Sequence, residues 1–160
     1  MKNIKTEIKW VLIFAAMILL WMLAEKLTGL TSTHIDQQAF YSNFVAIPAI
    51  AIYVFALLDK RKRDYGGFMT YKQGFISGLI ITLIYTALTP LVQYIVSVII
   101  LPEYFPNIIR YSVSSKILTQ AEADKYFTLK NYIVIGLMGA FLMGTFTTAI
   151  VALFVKKTKK

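Results

Sequence analysis

Four long stretches of the chain contain no charged residue, and they restrict its fold more than any other feature. They cover residues 10–24, 37–58, 73–101 and 131–155. About 20 apolar residues cross the hydrocarbon core of a bilayer, and flanking lysines can extend the shortest stretch. Lipid offers no hydrogen-bond partners, so an isolated crossing segment must be helical. The sequence therefore predicts an all-α polytopic membrane protein with four transmembrane helices, at about residues 8–27, 38–58, 73–101 and 131–155.

The composition agrees with one membrane domain. Of the 160 residues, 58% are hydrophobic, and the mean hydropathy is +0.64, whereas soluble domains average about 45–50% apolar residues. A chain of this length cannot bury that excess in its own core, so we expect residues 1–160 to form a single four-helix transmembrane domain. The first stretch resembles a secretory signal, but Glu25 and Lys26 stand where a cleavage site would be, so we expect it to remain as a helix.

The charged residues predict an orientation. With four spans, both tails and the loop at residues 59–72 share one side, which carries twelve cations and three anions, whereas the other side carries five of each. The positive-inside rule makes the first side, with both termini, cytoplasmic. Four of its cations are the run Lys60, Arg61, Lys62 and Arg63, which can also attract anionic lipid headgroups. The run lacks the aromatic residues and the fold of a nucleic-acid site, so the expected partner is the lipid bilayer, with no nucleic acid.

Small residues recur at intervals of four along the third and fourth spans. Such stripes let two helices approach closely in lipid, where apolar burial gives no net attraction. The stripes consist of Gly74, Gly78, Thr82 and Thr86 in the third span and Gly136, Ala140, Gly144, Thr148 and Ala152 in the fourth. We expect the two spans to pack on each other, and homodimerisation through the fourth span is the competing use.

The third span also carries a polar face, which is either a lined cavity or a seam between helices. Its members are Thr82, Tyr85, Thr86, Thr89, Gln93 and Ser97. In the second interpretation, hydroxyls bond to backbone carbonyls one turn back or across helices. The amide of Gln93 needs a partner on a neighbouring helix, and Thr145, Thr147 and Thr148 are candidates. Pro48 and Pro90 predict kinks near the middle of the bilayer.

Two titratable residues near the outer side have ordinary explanations. Glu25 ends the first span beside Lys26, so we expect a solvated charge at the membrane boundary rather than an intramembrane acid. His34 is the only histidine, and with Asp36 it cannot complete a metal site. No cofactor and no metal are therefore expected.

The outer loop at residues 102–130 is the only sizeable element outside the membrane. Pro102 and Pro106 are expected to end the third helix. Thr119 followed by Glu122 is a capping-box pattern, which predicts a short amphipathic helix over residues 120–127. If a partner is recognised outside the membrane, this loop is the natural place.

Catalytic signatures are missing from the sequence. It contains no GxSxG, HExxH or P-loop motif, no paired carboxylates within a span, and no cysteine. Since intramembrane hydrolases need such groups, we expect that the protein is not an enzyme.

Three segments resemble an uncharacterised family of small four-helix bacterial membrane proteins. They are "DYGGFMTYKQGFISGLIIT" from Asp64 to Thr82, "WMLAEKLTGL" from Trp21 to Leu30, and "PEYF" from Pro102 to Phe105. The resemblance implies a multi-pass protein of the bacterial inner membrane and brings no assigned activity. The leading functional hypothesis is a structural or accessory protein that acts through helix or loop contacts, with itself or with a membrane-protein partner. The alternative is a small transporter or permeation module that uses the polar face of the third span.

Overall fold

The computed structural model describes residues 4–158, which are almost entirely helical and contain no strand. The helices are α1 (Lys5–Leu27), α2 (Ile35–Tyr41), α3 (Ala46–Asp64), α4 (Tyr71–Tyr94), α5 (Tyr104–Ser114), α6 (Gln120–Tyr126) and α7 (Leu129–Val155). A 3₁₀ segment, Ser42–Val45, joins α2 to α3, and a π-helical segment, Ile95–Ile100, continues α4.

Four helical segments are long and apolar enough to cross a membrane, with mean hydropathies of 1.9–2.0. They are Lys5–Leu27, Ile35–Asp64, Tyr71–Ile100 and Leu129–Val155. The prediction of an all-α fold with four transmembrane helices is therefore confirmed.

The start of α1 and the end of α7 lie at the same end of the bundle, which we call the tail end. The backbones of Met69 and Lys157 exchange two hydrogen bonds of 2.8 Å there. The turn between α3 and α4 uses Gly66 and Gly67 at φ +60° and +90°, a region that glycine enters without steric cost. Thr70 then begins α4 with a capping box. The opposite end, which carries α2, α5 and α6, is the loop end.

The core is concentrated in the half of the bundle nearer the tail end. Its most deeply buried side chains include Val11, Leu57, Ile81 and Ala152, one from each span. The most extensive contact between two helices is that of α4 with α7. Toward the loop end the buried apolar cluster is smaller, and it consists of Ala15, Val92, Val96 and Leu101. The spans therefore pack tightly at one end and separate toward the other.

The two prolines, where the sequence predicts mid-membrane kinks, both lie within helix. Pro48 falls in the first turn of α3, where the absence of a backbone N–H is least disruptive. Pro90 lies inside α4. The irregular backbone is found elsewhere, in the 3₁₀ segment before Pro48 and in the π-helical segment after Pro90.

The loop end contains one helix that was predicted and one that was not. Thr119 caps α6 and forms the reciprocal capping box with Glu122, as the sequence predicted. The carboxylate accepts bonds from the Thr119 backbone and hydroxyl, which lower the pKa of Glu122. The unexpected helix is α5, whose third residue is Pro106. The chain therefore resumes a helix where proline was expected only to end one, because proline is tolerated in a first turn.

Candidate functional site

A cavity of about 590 Å³ lies where the spans separate. Its lining comes from all four spans and is mainly apolar, and along α7 it runs from Tyr132 to Thr147. That stretch corresponds to about 22 Å at the ~1.5 Å rise of an α-helix. Volumes of about 300–1,000 Å³ with a mostly apolar wall and a few polar groups are typical of small-molecule sites.

The cavity opens toward the position of the lipid, between α3 and α7. Ile50 of α3 and Met143 of α7 belong to its lining, and they are 47% and 64% exposed. The back wall is formed by α1 and α4, from which Phe14 and Tyr85 contribute rings packed edge to face. A molecule could therefore enter sideways from the bilayer.

Only part of the polar face of the third span lines the cavity, and the rest lies outside the lining. Tyr85, Thr89, Gln93 and Ser97 line the cavity, but Thr82 and Thr86 do not. Thr82 is buried and bonds Tyr53 Oη at 2.8 Å.

Gln93 finds its partner on its own helix rather than on a neighbouring one. Its Nε2 donates to Ser97 Oγ at 3.0 Å. The expectation of a bond to the threonines of α7 is wrong, because one turn of helix already places an acceptor within reach.

Glu25 is buried at the loop end of the cavity, so the expectation of a solvated boundary charge is wrong. Its side chain is enclosed because α2 and the 3₁₀ segment fold over the end of α1, and Glu25 is only 3% exposed. Trp21 Nε1 and Ser42 Oγ each donate to Oε1 at 2.7 Å, and Gln38 Nε2 donates to Oε2 at 3.3 Å. Three polar groups thus converge on one carboxylate at the cavity wall.

An aromatic cluster lies beside this carboxylate. The hydroxyls of Tyr104 and Tyr132 bond at 3.2 Å, and both residues line the cavity. The ring of Phe105 packs against Tyr132 edge to face. Burial raises the pKa of Tyr104, so its phenol stays neutral and can donate a hydrogen bond.

The small-residue stripes meet at the α4–α7 contact. A Cβ atom at Gly78 would clash with the side chain of Thr148, and one at Gly144 would lie 2.7 Å from Thr82 Cγ2. Nearer the tail end, Gly74 faces Ala152. Gly136 also faces α4, since a Cβ atom there would lie 3.0 Å from Thr89 Cγ2. Gly136, Ala140 and Gly144 of the same stripe also line the cavity.

The cations at the tail end do not all face lipid headgroups. Lys60 is 3% exposed, and its ammonium lies 2.9 Å from carboxylate oxygens of both Glu7 and Asp64. Arg61 donates to the carbonyl of Val155 at the end of α7. Headgroup contact was expected for all four cations of the run, but Lys60 instead points into the bundle, because a buried carboxylate of α1 lies opposite it.

The other cations of this run stay near the surface. Lys62 and Arg63 are exposed, and Arg63 pairs with Asp59. Lys2, Lys159 and Lys160, which the charge count also includes, lie outside the described residues.

Other residues of the site were not predicted, although one of them carries a sequence signal. Trp21 precedes Glu25 by four positions, which places both on one helical face. Four further elements contribute Gln38, Ser42, Tyr104 and Tyr132, and nothing in their spacing indicates that they meet. Within residues 4–158, no three His, Asp or Glu side chains come close enough to hold a metal ion.

A family model described as "Protein of unknown function (DUF4199)" matches residues 9–157. The match extends from the first turns of α1 to Lys157, which lies two residues beyond the end of α7 and pairs with Met69. Among curated proteins and among solved structures, no similar protein was found.

Proposed function

The chain belongs to DUF4199, a family of proteins of unknown function, and we propose that this multi-pass membrane protein binds an amphipathic molecule within the bilayer. The observation that carries the proposal is the cavity between α3 and α7, which has an apolar wall, a side opening and a polar end at Glu25. A ligand with an apolar body and a polar head fits that distribution. Binding is the step that a small carrier or permeation module would also require.

Binding rather than catalysis is proposed because of what surrounds the carboxylate. Its hydrogen-bond partners are an indole, an amide and a hydroxyl. General acid–base chemistry usually pairs such a group with a second acid, a base or a nucleophile.

An accessory role through protein contacts is the second candidate. The loop end supports it, because two apolar side chains are exposed there: Ile117, between α5 and α6, is 61% exposed, and Tyr126 of α6 is 51% exposed. A contact between two copies through the small-residue stripe of α7 is less favoured, since Gly144 and Thr148 are already buried against the neighbouring helices.

A bulky residue at Gly139 is expected to abolish ligand binding without harming the fold. Gly139 lines the cavity, and a Cβ atom there meets nothing within 4 Å. The ring in Gly139→Phe therefore occupies the space of the ligand. Binding is measured in nanodiscs by quenching of Trp21 with nitroxide-labelled dodecyl probes, neutral and cationic, in a Trp10→Phe background that leaves Trp21 as the single tryptophan.

The matched control is Leu142→Phe, which adds the same ring to the same helix. Leu142 is 60% exposed and does not line the cavity. We expect saturable quenching in the parent and in Leu142→Phe, and only linear, partition-driven quenching in Gly139→Phe. If no probe quenches the parent saturably, or if both variants bind equally well, the cavity is not a ligand site.

We also infer that the tail end faces the cytoplasm and that the membrane is the inner membrane of a bacterium. The excess of cations at the tail end supports the orientation, and the resemblance to a bacterial family supports the compartment. The chain contains no cysteine, so single cysteines can be introduced without a further change.

Accessibility of two introduced cysteines tests the orientation. Ser115 at the loop end and Thr158 at the tail end are both exposed. In intact cells, a membrane-impermeant maleimide should label Ser115→Cys at once and Thr158→Cys only after the membrane is permeabilised. The reverse pattern would show that the tails face outward.

A further inference from the structure

The described part of the chain buries two carboxylates deeply, Glu7 and Glu25, near opposite ends of the bundle, and only Glu7 has a cationic partner there. Glu7 faces the ammonium of Lys60 at 2.9 Å. Glu25, equally buried, has three hydrogen-bond donors and all of them are neutral. No cation of the described residues lies within 4.0 Å of it. A buried charge without a counter-charge is strongly unfavourable, so the position favours a cation supplied from outside the chain.

The bonding around Glu25 leaves room for that cation. An ionised carboxylate offers about four lone-pair positions. Two on Oε1 are used by Trp21 and Ser42, and one on Oε2 is used by Gln38. A further position on Oε2 remains for a ligand, and the three neutral donors hold the carboxylate in place without cancelling its charge.

The end of α1 increases the preference for positive charge. Glu25 lies in the last turn of α1, which ends at Leu27. The carbonyl end of a helix carries a partial negative charge of about half an electron, which repels anions and attracts cations. Lys26, the nearest cation in sequence, is exposed and lines a separate polar cleft with Glu103 and Arg110.

The remaining walls suit a cationic head joined to an apolar body. Trp21, Tyr104 and Tyr132 line the same end of the cavity as Glu25, and the faces of aromatic rings attract ammonium groups. From there the lining continues through Phe14, Val92 and Met143 toward the bilayer middle. The apolar part is long enough for an alkyl chain and opens to the lipid from which such a molecule would arrive.

We propose that the cavity is selective for a cationic amphiphile, whose ammonium head pairs with Glu25 and whose apolar body lies between α3 and α7. This inference rests on the binding function proposed above and names its ligand class. A neutral or anionic amphiphile would leave the Glu25 carboxylate unneutralised or would be repelled by it.

The test compares two probes that share a dodecyl chain and a nitroxide and carry heads of different charge. One is a dodecyl chain with a nitroxide next to a quaternary ammonium, and the other replaces the ammonium with an amide. Both are titrated into zwitterionic nanodiscs that contain the Trp10→Phe protein, and Trp21 quenching is recorded. Because a quaternary ammonium does not titrate, its charge is the same at every pH.

We expect the cationic probe to reach half-saturation at a concentration at least tenfold lower than the concentration that the neutral probe requires. Glu25→Gln keeps the shape of the side chain and should reduce that ratio to about one, and Glu25→Asp should retain part of it. The comparison of the two probes on the parent needs no Glu25 variant, so it stands even if such a variant fails to fold.

The outcomes separate the two proposals. Equal, saturable binding of both probes to the parent, abolished by Gly139→Phe, overturns the charge selectivity and leaves the binding function intact. A cation preference that persists in Glu25→Gln also overturns it. If neither probe binds the parent saturably, the binding function is overturned together with this inference.

Discussion

Lys60→Met is expected to lower the free energy of unfolding by about 3–5 kcal/mol, because it leaves a buried carboxylate without its cation. Lys60 is 3% exposed and Glu7 is 2% exposed, and the ion pairs of residues 4–158 include no other cation at Glu7. Ser77 Oγ, which donates to the other oxygen of Glu7 at 2.7 Å, is neutral and cannot replace the ammonium. The change is measured as the shift of SDS-induced unfolding, followed by helical circular dichroism in mixed micelles.

Two companion variants isolate the buried charge as the cause. Adding Glu7→Gln to Lys60→Met removes the uncompensated anion, so most of the lost stability should return. Lys62→Met changes an exposed cation of the same run and should alter stability by less than about 0.5 kcal/mol. If Lys60→Met and Lys62→Met behave alike, or if the double variant is no better than Lys60→Met, the buried pair does not stabilise the bundle.

The four spans could be predicted because they depend only on local composition. An uncharged apolar run must be helical in lipid wherever it lies in the chain, and the structure agrees within a few residues at most helix ends. The Thr119–Glu122 capping box is equally local, since both partners belong to one turn. The resemblance to an uncharacterised family is also confirmed, by a match over residues 9–157.

The surroundings of the charged residues could not be predicted, because they depend on how each helix is rotated. Lys60 looked like its three basic neighbours, yet its partner Glu7 lies 53 residues away on another helix. Glu25 seemed to be at a water boundary, and it is buried only because Gln38 and Ser42 come from a segment that folds back over it. Sequence spacing predicts which residues share a face of one helix, but not what that face contacts.

The cavity depends on a difference in helix packing between the two ends of the bundle. The sequence of a single span does not show this difference. Near the tail end, small residues of α4 and α7 permit close contact. Near the loop end, the π-helical turn at Ile95–Ile100 widens α4, and such turns are frequent at functional sites. The predicted polar face of the third span contributes Tyr85, Thr89, Gln93 and Ser97 to the cavity lining. The positions of Thr82 and Thr86 outside the lining follow only from the packing.

Gly144→Ile is expected to lower the free energy of unfolding by about 3 kcal/mol or more, at the upper end of typical overpacking effects. A Cβ atom at this position would lie 2.7–2.8 Å from Thr82 and from the hydroxyl of Tyr53. Those two side chains bond to each other at 2.8 Å inside the bundle. The added side chain therefore has to separate α7 from α4 and disrupt a buried hydrogen bond.

Gly139→Ile provides the control, because it makes the same substitution on the same helix where a Cβ atom has no neighbour within 4 Å. Isoleucine is a better helix former than glycine by about 0.5 kcal/mol, so this variant should be as stable as the parent or slightly more stable. A similar loss in both variants would mean that isoleucine is generally unfavourable in α7. An unchanged unfolding midpoint and oligomeric state for Gly144→Ile would mean that the close approach of α4 and α7 does not stabilise the bundle. Only a large loss confined to Gly144 supports a bundle joined through its small residues.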